Sequence, residues 1–292
     1  MKAPVAVAQA AAMRRLALRE RAAGKSVGLV PTMGALHEGH LSLMRRARAE
    51  NGFVVASIFV NPTQFGPGED YAKYPRQPEE DLELCGQAGV DAVFAPPVEE
   101  LYPKDFGLFI DPGPVAQPLE GVSRPGHFRG VATVVAKLFN IVVPDRAYFG
   151  QKDAQQVAVD KHLVRDLNFG VEIVVGPTVR EPDGLAMSSR NAYLNPGERQ
   201  AALVLARALD VARELVAAGE RQATRVAAAM AEEVVQEPLA ELEYAAVVDP
   251  ETFADLEGLD RPALALLAAR IGQTRLIDNL KLEPAGGRGK KK

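Results

Sequence analysis

Short apolar runs alternate with helix-patterned stretches through about the first 180 residues of the chain. Residues 27–32 and 53–60 read as strands, the second apolar nearly throughout, and 92–95, 146–149 and 171–175 are shorter strand candidates. Helical spacing covers 41–51, 78–87, 131–141 and 155–167. Strands that are apolar on both faces and spaced by helices predict a parallel sheet covered on both sides. Ligands of such sheets bind beyond the carboxyl ends of the strands, so the informative loops are those that directly follow strands. The pattern changes near residue 180. Glu181, Pro182, Asp183 and Gly184 are turn material. Two Ala-rich helices, 196–217 and 221–236, and strand candidates at 243–248, 263–271 and 275–279 follow. The expected class is α/β: a doubly wound parallel sheet over residues 1–179, with a smaller C-terminal α+β domain over 180–292.

Composition sharpens this only slightly. At 292 residues the chain exceeds the commonest single-domain size, which agrees with two domains. A net charge of −4, from 34 basic and 38 acidic residues, provides no broad basic surface for nucleic acid or an anionic membrane. Residues 286–292 form a basic tail that reads as a solvated, disordered end. Cys85 is the single cysteine, so no intrachain disulfide is possible, and the usage fits a reducing cytoplasm. It lies in a helical-looking segment, where a buried inert thiol is expected. No stretch has the pattern of a secretory signal, and no apolar run approaches transmembrane length.

The loop after the first long strand candidate carries two histidines, His37 and His40, with Gly39 between them. The segment from Gly34 to Gly39 has the glycine spacing of a P-loop, but His40 and Leu41 stand where Lys and Ser/Thr are needed. No Gly-x-Gly-x-x-Gly occurs. The i, i+3 histidine spacing differs from that of His-Glu-x-x-His zinc sites, and no third ligand cluster follows. Phosphate fits better. A helix N-terminus offers unpaired N–H groups and partial positive charge. Imidazole donors beside it can follow charge developing on a phosphoryl group, and Gly39, without a Cβ, lets a ring approach the backbone.

Three more polar clusters stand out. Met187, Ser188, Ser189 and Arg190 offer two hydroxyls and a guanidinium to a triphosphate. Gly150, Gln151, Lys152 and Asp153 again follow a strand, with Gln155 and Gln156 just beyond; a helix start with Asp153 set against the dipole is the plainer reading there. Gln64 follows the 53–60 strand and can read a carboxylate or hydroxyl without adding charge. Glu69, Asp70, Glu80 and Asp81 are expected on solvated surface. His162 reads as a surface or packing residue, and His127 as a neighbour of the site.

His-x-Gly-His resembles the signature of the nucleotidyltransferase superfamily. The four clusters in order, with the run from Ser123 to Val131, resemble the pantothenate synthetase (pantoate–β-alanine ligase) family, and the resemblance covers most of the chain. Gln151 departs from it, since many members have Glu there. The resemblance implies a Rossmann-like first domain, a C-terminal lid domain and a cytoplasmic homodimer. It implies an AMP-forming ligase that condenses (R)-pantoate with β-alanine, using ATP and Mg²⁺, through pantoyl adenylate. By the family pattern Met33, Gly34, Ala35, Leu36, His37, Glu38, Gly39 and His40 contact ATP, as do Gly150, Gln151, Lys152, Asp153, Val179, Met187, Ser188, Ser189 and Arg190. His40, His37, Lys152 and Arg190 are the catalytic set. Gln64 and Gln156 hold pantoate, and Gln64 also lies near β-alanine. Pro31, Met33 and Phe65 supply apolar surface. No protein ligand for Mg²⁺ is assigned. Two alternatives stay open: another nucleotidyltransferase on the same fold, or a nucleotide-sensing module without turnover.

Overall fold

The computed structural model describes residues 3–283, so the basic tail at 286–292 lies outside the described residues. By their contacts the described residues divide into two units, one built up to Gln151 with Gln155–Pro177, the other from Lys152–Ala154 and the described residues from Thr178 onward.

The first unit holds β1 (Val5–Val7), α1 (Ala10–Ala22), β2 (Val27–Thr32), α2 (Glu38–Glu50), β3 (Phe53–Ile58), α3 (Pro78–Gln87), β4 (Ala92–Phe94), α4 (Val98–Leu101), α5 (Glu120–Ser123), α6 (His127–Val142), β5 (Arg146–Gly150), α7 (Ala154–Asp166) and β6 (Glu172–Gly176). Its six strands are all parallel, in the order β1-β4-β3-β2-β5-β6. The apolar strands are explained by cover on both faces. Val27 and Leu29 of β2, Phe53 and Val55 of β3, and Ala147 and Phe149 of β5 pack with Met13 and Ala17 of α1 and the buried face of α6. Their neighbours Val30, Val54, Ala56 and Tyr148 pack with Leu43, Met44 and Ala47 of α2 and Cys85 of α3. Period two with two apolar faces gives an apolar residue at nearly every position. Helix α6 is buried along most of its length, with its polar Arg129 and Asn140 left exposed.

Cys85 is fully buried with its Sγ 4.0 Å from Met44 Sδ, and burial, aided by the nearby Asp81 charge, pushes its thiol up to about 12. The inert thiol expected from the sequence is therefore present.

From β2 the chain proceeds to β3 on one side, whereas β5 and β6 lie on the other. This makes the carboxyl ends of β2 and β5, at Thr32 and Gly150, the topological switch point where such sheets bind ligands.

The second unit contains α8 (Pro196–Ala201), α9 (Val204–Ala217), α10 (Ala223–Val235), β7 (Ala240–Val248), β8 (Ala263–Ile271) and β9 (Thr274–Leu282). The strands form an antiparallel sheet in the order β7-β8-β9. Alternate β8 residues, Ala265, Leu267 and Ala269, share a core with Leu205 and Leu209 of α9 and Val226 and Met230 of α10.

Several boundaries differ from expectation. Helix α2 starts at Glu38 rather than 41, and α6 at His127 rather than 131. The helix expected over 196–217 is two helices, separated at Ala202 and Leu203, where Leu203 N–H bonds to Gln200 O and Leu205 N–H to Ala202 O, i→i+3 turns. β1 and α1 were not anticipated.

Candidate active site

The loop after β2 is built from its backbone amides. Thr32 Oγ1 donates to Ser57 O at 2.7 Å and accepts from Gly34 N–H at 3.2 Å. Gly34 and Ala35 both have positive φ, 83° and 49°. An alanine there is uncommon and costs energy that the surroundings must supply. They do so through Asp81 of α3. Its carboxylate is buried and accepts Ala35 N–H at 3.0 Å and Leu36 N–H at 2.8 Å. This corrects the expectation that Asp81 lies on solvated surface. Burial raises the Asp81 pKa, and the two amides oppose that shift.

His37 and His40 then form a reciprocal cap. His37 is the N-cap of α2, and its Nδ1 accepts Gly39 N–H at 3.2 Å. His40 Nδ1 accepts His37 N–H at 3.3 Å. The rings lie 4.1 Å apart at 37°. A Cβ on Gly39 would sit 2.9 Å from His37 Cε1, so glycine is what lets the ring lie over the backbone. A neutral imidazole that accepts at Nδ1 carries its proton on Nε2. Both rings therefore hold an N–H donor on the side away from the cap, beside the positive end of α2. Glu38 is exposed and paired with Arg45.

The turn after β3 places Gln64. Gln64 is buried, with Oε1 accepting from Asn61 Nδ2 at 2.9 Å and Nε2 meeting Met33 Sδ at 3.4 Å. Sulfur is a weak acceptor, so Nε2 keeps donor capacity for a better partner. Met33 and Gln64, predicted separately, are thus brought together. Beneath them lies a support that the sequence only hinted at. Buried His127 donates from Nδ1 to Gln64 O at 2.9 Å, and its Nε2 accepts from Arg124 at 3.2 Å. Arg124 is held bidentately by Glu69 at 2.9 and 2.7 Å. Gly130 of α6 lets the helix approach this turn, for a Cβ there would lie 2.3 Å from Thr63 O.

Burial first, then the Arg124 charge, lowers the His127 pKa from 6.5 to about 4. Because the folded value is depressed, its contribution to stability is complete above the unfolded value near 6.5 and is lost as pH falls through about 4. At 1.36 kcal/mol per unit, the loss is on the order of 3 kcal/mol. Urea unfolding of the wild type and His127→Gln across this pH range should show the wild type losing more stability than the variant. Parallel curves would refute it.

Gln156 lies on α7, and its Nε2 reaches Asp160 Oδ2 at 3.5 Å. Its neighbour Gln155 is structural, with Nε2 donating to Val115 O and Pro118 O at 3.0 and 2.8 Å, and Oε1 accepting Glu120 N–H. His162 is half-buried and lies 3.3 Å from Arg165, as a surface residue would.

In the second unit Lys152 Nζ lies 3.7 Å from Asp153 Oδ1. Residues 179–187 fold back on themselves, with Met187 N–H to Val179 O at 3.0 Å and Glu181 N–H to Leu185 O at 2.8 Å. Ser188 follows as a cap, its Oγ accepting Arg190 N–H at 3.3 Å, and leads into a short 3₁₀ turn, Ser189–Tyr193.

Among the described residues no group of three or more His, Cys, Asp or Glu is arranged to hold a metal. None of their helices is long and apolar enough to cross a membrane.

A family model described as pantoate-beta-alanine ligase matches residues 5–281. The pantothenate synthetase of Roseiflexus sp. (strain RS-1) is 62% identical over 258 residues, covering 88% of this chain and 93% of the relative. That of Moorella thermoacetica is 57% identical over 273 residues, 94% and 96% of the two chains. Among solved structures, pantothenate synthetase from Thermus thermophilus matches with a TM-score of 0.91 and 51% identity over 96% of this chain and 100% of the other. A pantoate-beta-alanine ligase from Francisella tularensis, complexed with beta-gamma ATP and beta-alanine, matches with a TM-score of 0.77 and 35% identity over 95% and 97%.

Proposed function

The chain belongs to the pantoate–β-alanine ligase family, and on that premise we propose how its own residues divide the work. It is an AMP-forming ligase that makes pantothenate, a coenzyme A precursor, from (R)-pantoate, β-alanine and ATP. The pantoate carboxylate attacks the α-phosphate, giving pantoyl adenylate and pyrophosphate. The β-alanine amine then attacks the activated carbonyl and AMP leaves. Another nucleotidyltransferase activity, or sensing without turnover, gives way to this reaction.

The reciprocal cap of His37 and His40 carries the reading of the site. In this division their Nε2 donors serve the phosphate oxygens that gain charge in adenylation, because donors already in place need no reorganisation when that charge develops. Lys152 and Arg190 add positive charge. The rest of the loop from Met33 to His40, together with Gly150, Gln151, Asp153, Val179, Met187, Ser188 and Ser189, contacts ATP. Gln64 holds pantoate through Nε2 and lies near β-alanine, and Gln156 is a second pantoate anchor. Mg²⁺ arrives with the nucleotide, coordinated by phosphates and water, since a small hard cation dehydrates reluctantly. A cytoplasmic homodimer belongs to the same proposal, with sedimentation velocity as the check on assembly.

The test separates the half-reactions. Pantoate and Mg·ATP alone should support exchange of labelled pyrophosphate into ATP, without β-alanine. Gln156→Ala should raise the pantoate KM for that exchange and leave the β-alanine KM for amide formation unchanged, whereas Gln64→Ala should harm both steps. An enzyme that makes pantothenate briskly but shows no exchange until β-alanine is added would defeat the order proposed.

A further inference from the structure

Strand β9 carries two consecutive buried polar residues, Asp278 and Asn279, in a run whose neighbours Leu276, Ile277 and Leu280 are apolar. Successive strand residues face opposite sides, so the pair reaches out from both faces of β9. Buried polar groups are costly unless each has a partner, and both of these do. Asp278 accepts two hydrogen bonds from Arg180, at 2.7 and 2.9 Å. The same guanidinium donates to Gly184 O at 2.9 Å, and Arg180 pairs with Ala186 across the fold-back. Arg180 is thereby fixed to the sheet, and Met187–Arg190 begins immediately beyond its pairing partner. On the other face, Asn279 Nδ2 donates to Lys152 O at 2.9 Å. A further bond ties the pair together, with Asp278 Oδ1 accepting Asn279 N–H at 2.8 Å. Two stretches far apart in sequence, one bearing Lys152 and one leading to Ser188, Ser189 and Arg190, are thus anchored to adjacent residues of one strand.

We propose that Asn279 and Asp278 are positioning residues of the ligase, setting the backbone from which Lys152 and the Ser188–Arg190 turn reach the ATP phosphates. The inference rests on the proposed role of Lys152. The chemistry suits the task. A side-chain amide holds the Lys152 carbonyl without adding charge beside a polyanion, and the Asp278 charge is matched by Arg180 and does not oppose phosphate. Small displacements of a group that orients a reacting phosphate slow the step far more than one hydrogen bond would suggest.

The experiment uses the full-length enzyme and pyrophosphate exchange, with Mg·ATP varied at saturating pantoate and pantoate varied at saturating Mg·ATP. Asn279→Ala and the similarly sized Asn279→Leu should each raise the ATP KM by on the order of tenfold, with the pantoate KM unchanged. Partial unfolding lowers kcat through the active fraction and leaves KM alone, so the split separates positioning from simple loss of stability. Lys152→Ala should raise the ATP KM further, and adding Asn279→Ala to it should cost nothing more, because the two act through one group. A normal ATP KM in both Asn279 variants, or losses that multiply in the double variant, overturns the inference while leaving the Lys152 role intact. Normal ATP use by Lys152→Ala overturns that role and the inference with it.

Discussion

Replacing His40 with alanine is expected to slow pyrophosphate exchange by about a hundredfold or more, the scale for one lost donor to developing charge. Fold stability should change far less. His40 is half-exposed in the first turn of α2, and among the bonds lost is the long one from His37 N–H to His40 Nδ1 at 3.3 Å. A lost helix cap costs about 0.5–2 kcal/mol. The two effects separate cleanly: circular dichroism and urea midpoint near wild type, exchange rate collapsed. His37→Ala should weaken both, since that ring is the N-cap and packs over Gly39. Ordinary turnover and a native spectrum in the His40→Ala enzyme would remove His40 from the reaction.

Asp81→Ala is expected to give the largest combined loss of stability and ATP use outside the proposed ATP-contacting residues. It removes the acceptor that two amides of the loop share, those of Ala35 and Leu36. Each unsatisfied buried donor costs about 1–3 kcal/mol. The left-handed Ala35 also loses a contact that helps to hold it there. The loop that delivers His37 should loosen, so the ATP KM should rise along with the drop in unfolding free energy. Asp81→Asn keeps one acceptor oxygen and should fall between wild type and alanine in both measures. Wild-type stability and ATP KM in Asp81→Ala would show that the loop holds itself.

The parallel sheet was legible because its central strands are covered on both faces, which leaves an unbroken apolar run in β3. β1 was not, since three residues at a sheet edge, two exposed and one half-buried, carry no period, and the apolar face of α1 shows only Met13 and Ala17 fully buried. The starts of α2 and α6 were misplaced because neither opens on Ser, Thr, Asp or Asn: one is capped by a histidine and the other follows a left-handed glycine. The break after Ala201 contains no Gly or Pro, so helical spacing runs through it. At the site, the histidine pair and Gln64 could be singled out because their types and loop positions carry chemical meaning by themselves. Asp81 could not, for its partners lie 45 and 46 residues upstream and only the tertiary fold brings them together. His127 was suspected as a neighbour, but its grip on the Gln64 carbonyl depends on the close approach at Gly130.

The sealed thiol of Cys85 has a practical side. Maleimides react with exposed thiolates, and this sulfur is both inaccessible and, with its pKa near 12, protonated at neutral pH. The wild-type chain already behaves as a cysteine-free background for labelling. A cysteine introduced at exposed Val235, at the end of α10, would take a fluorophore selectively, with the native core around Met44 and Cys85 left as it is. Assays on such a reporter need no reductant to keep the native cysteine in its working state, because the catalysis described above draws on no sulfur nucleophile.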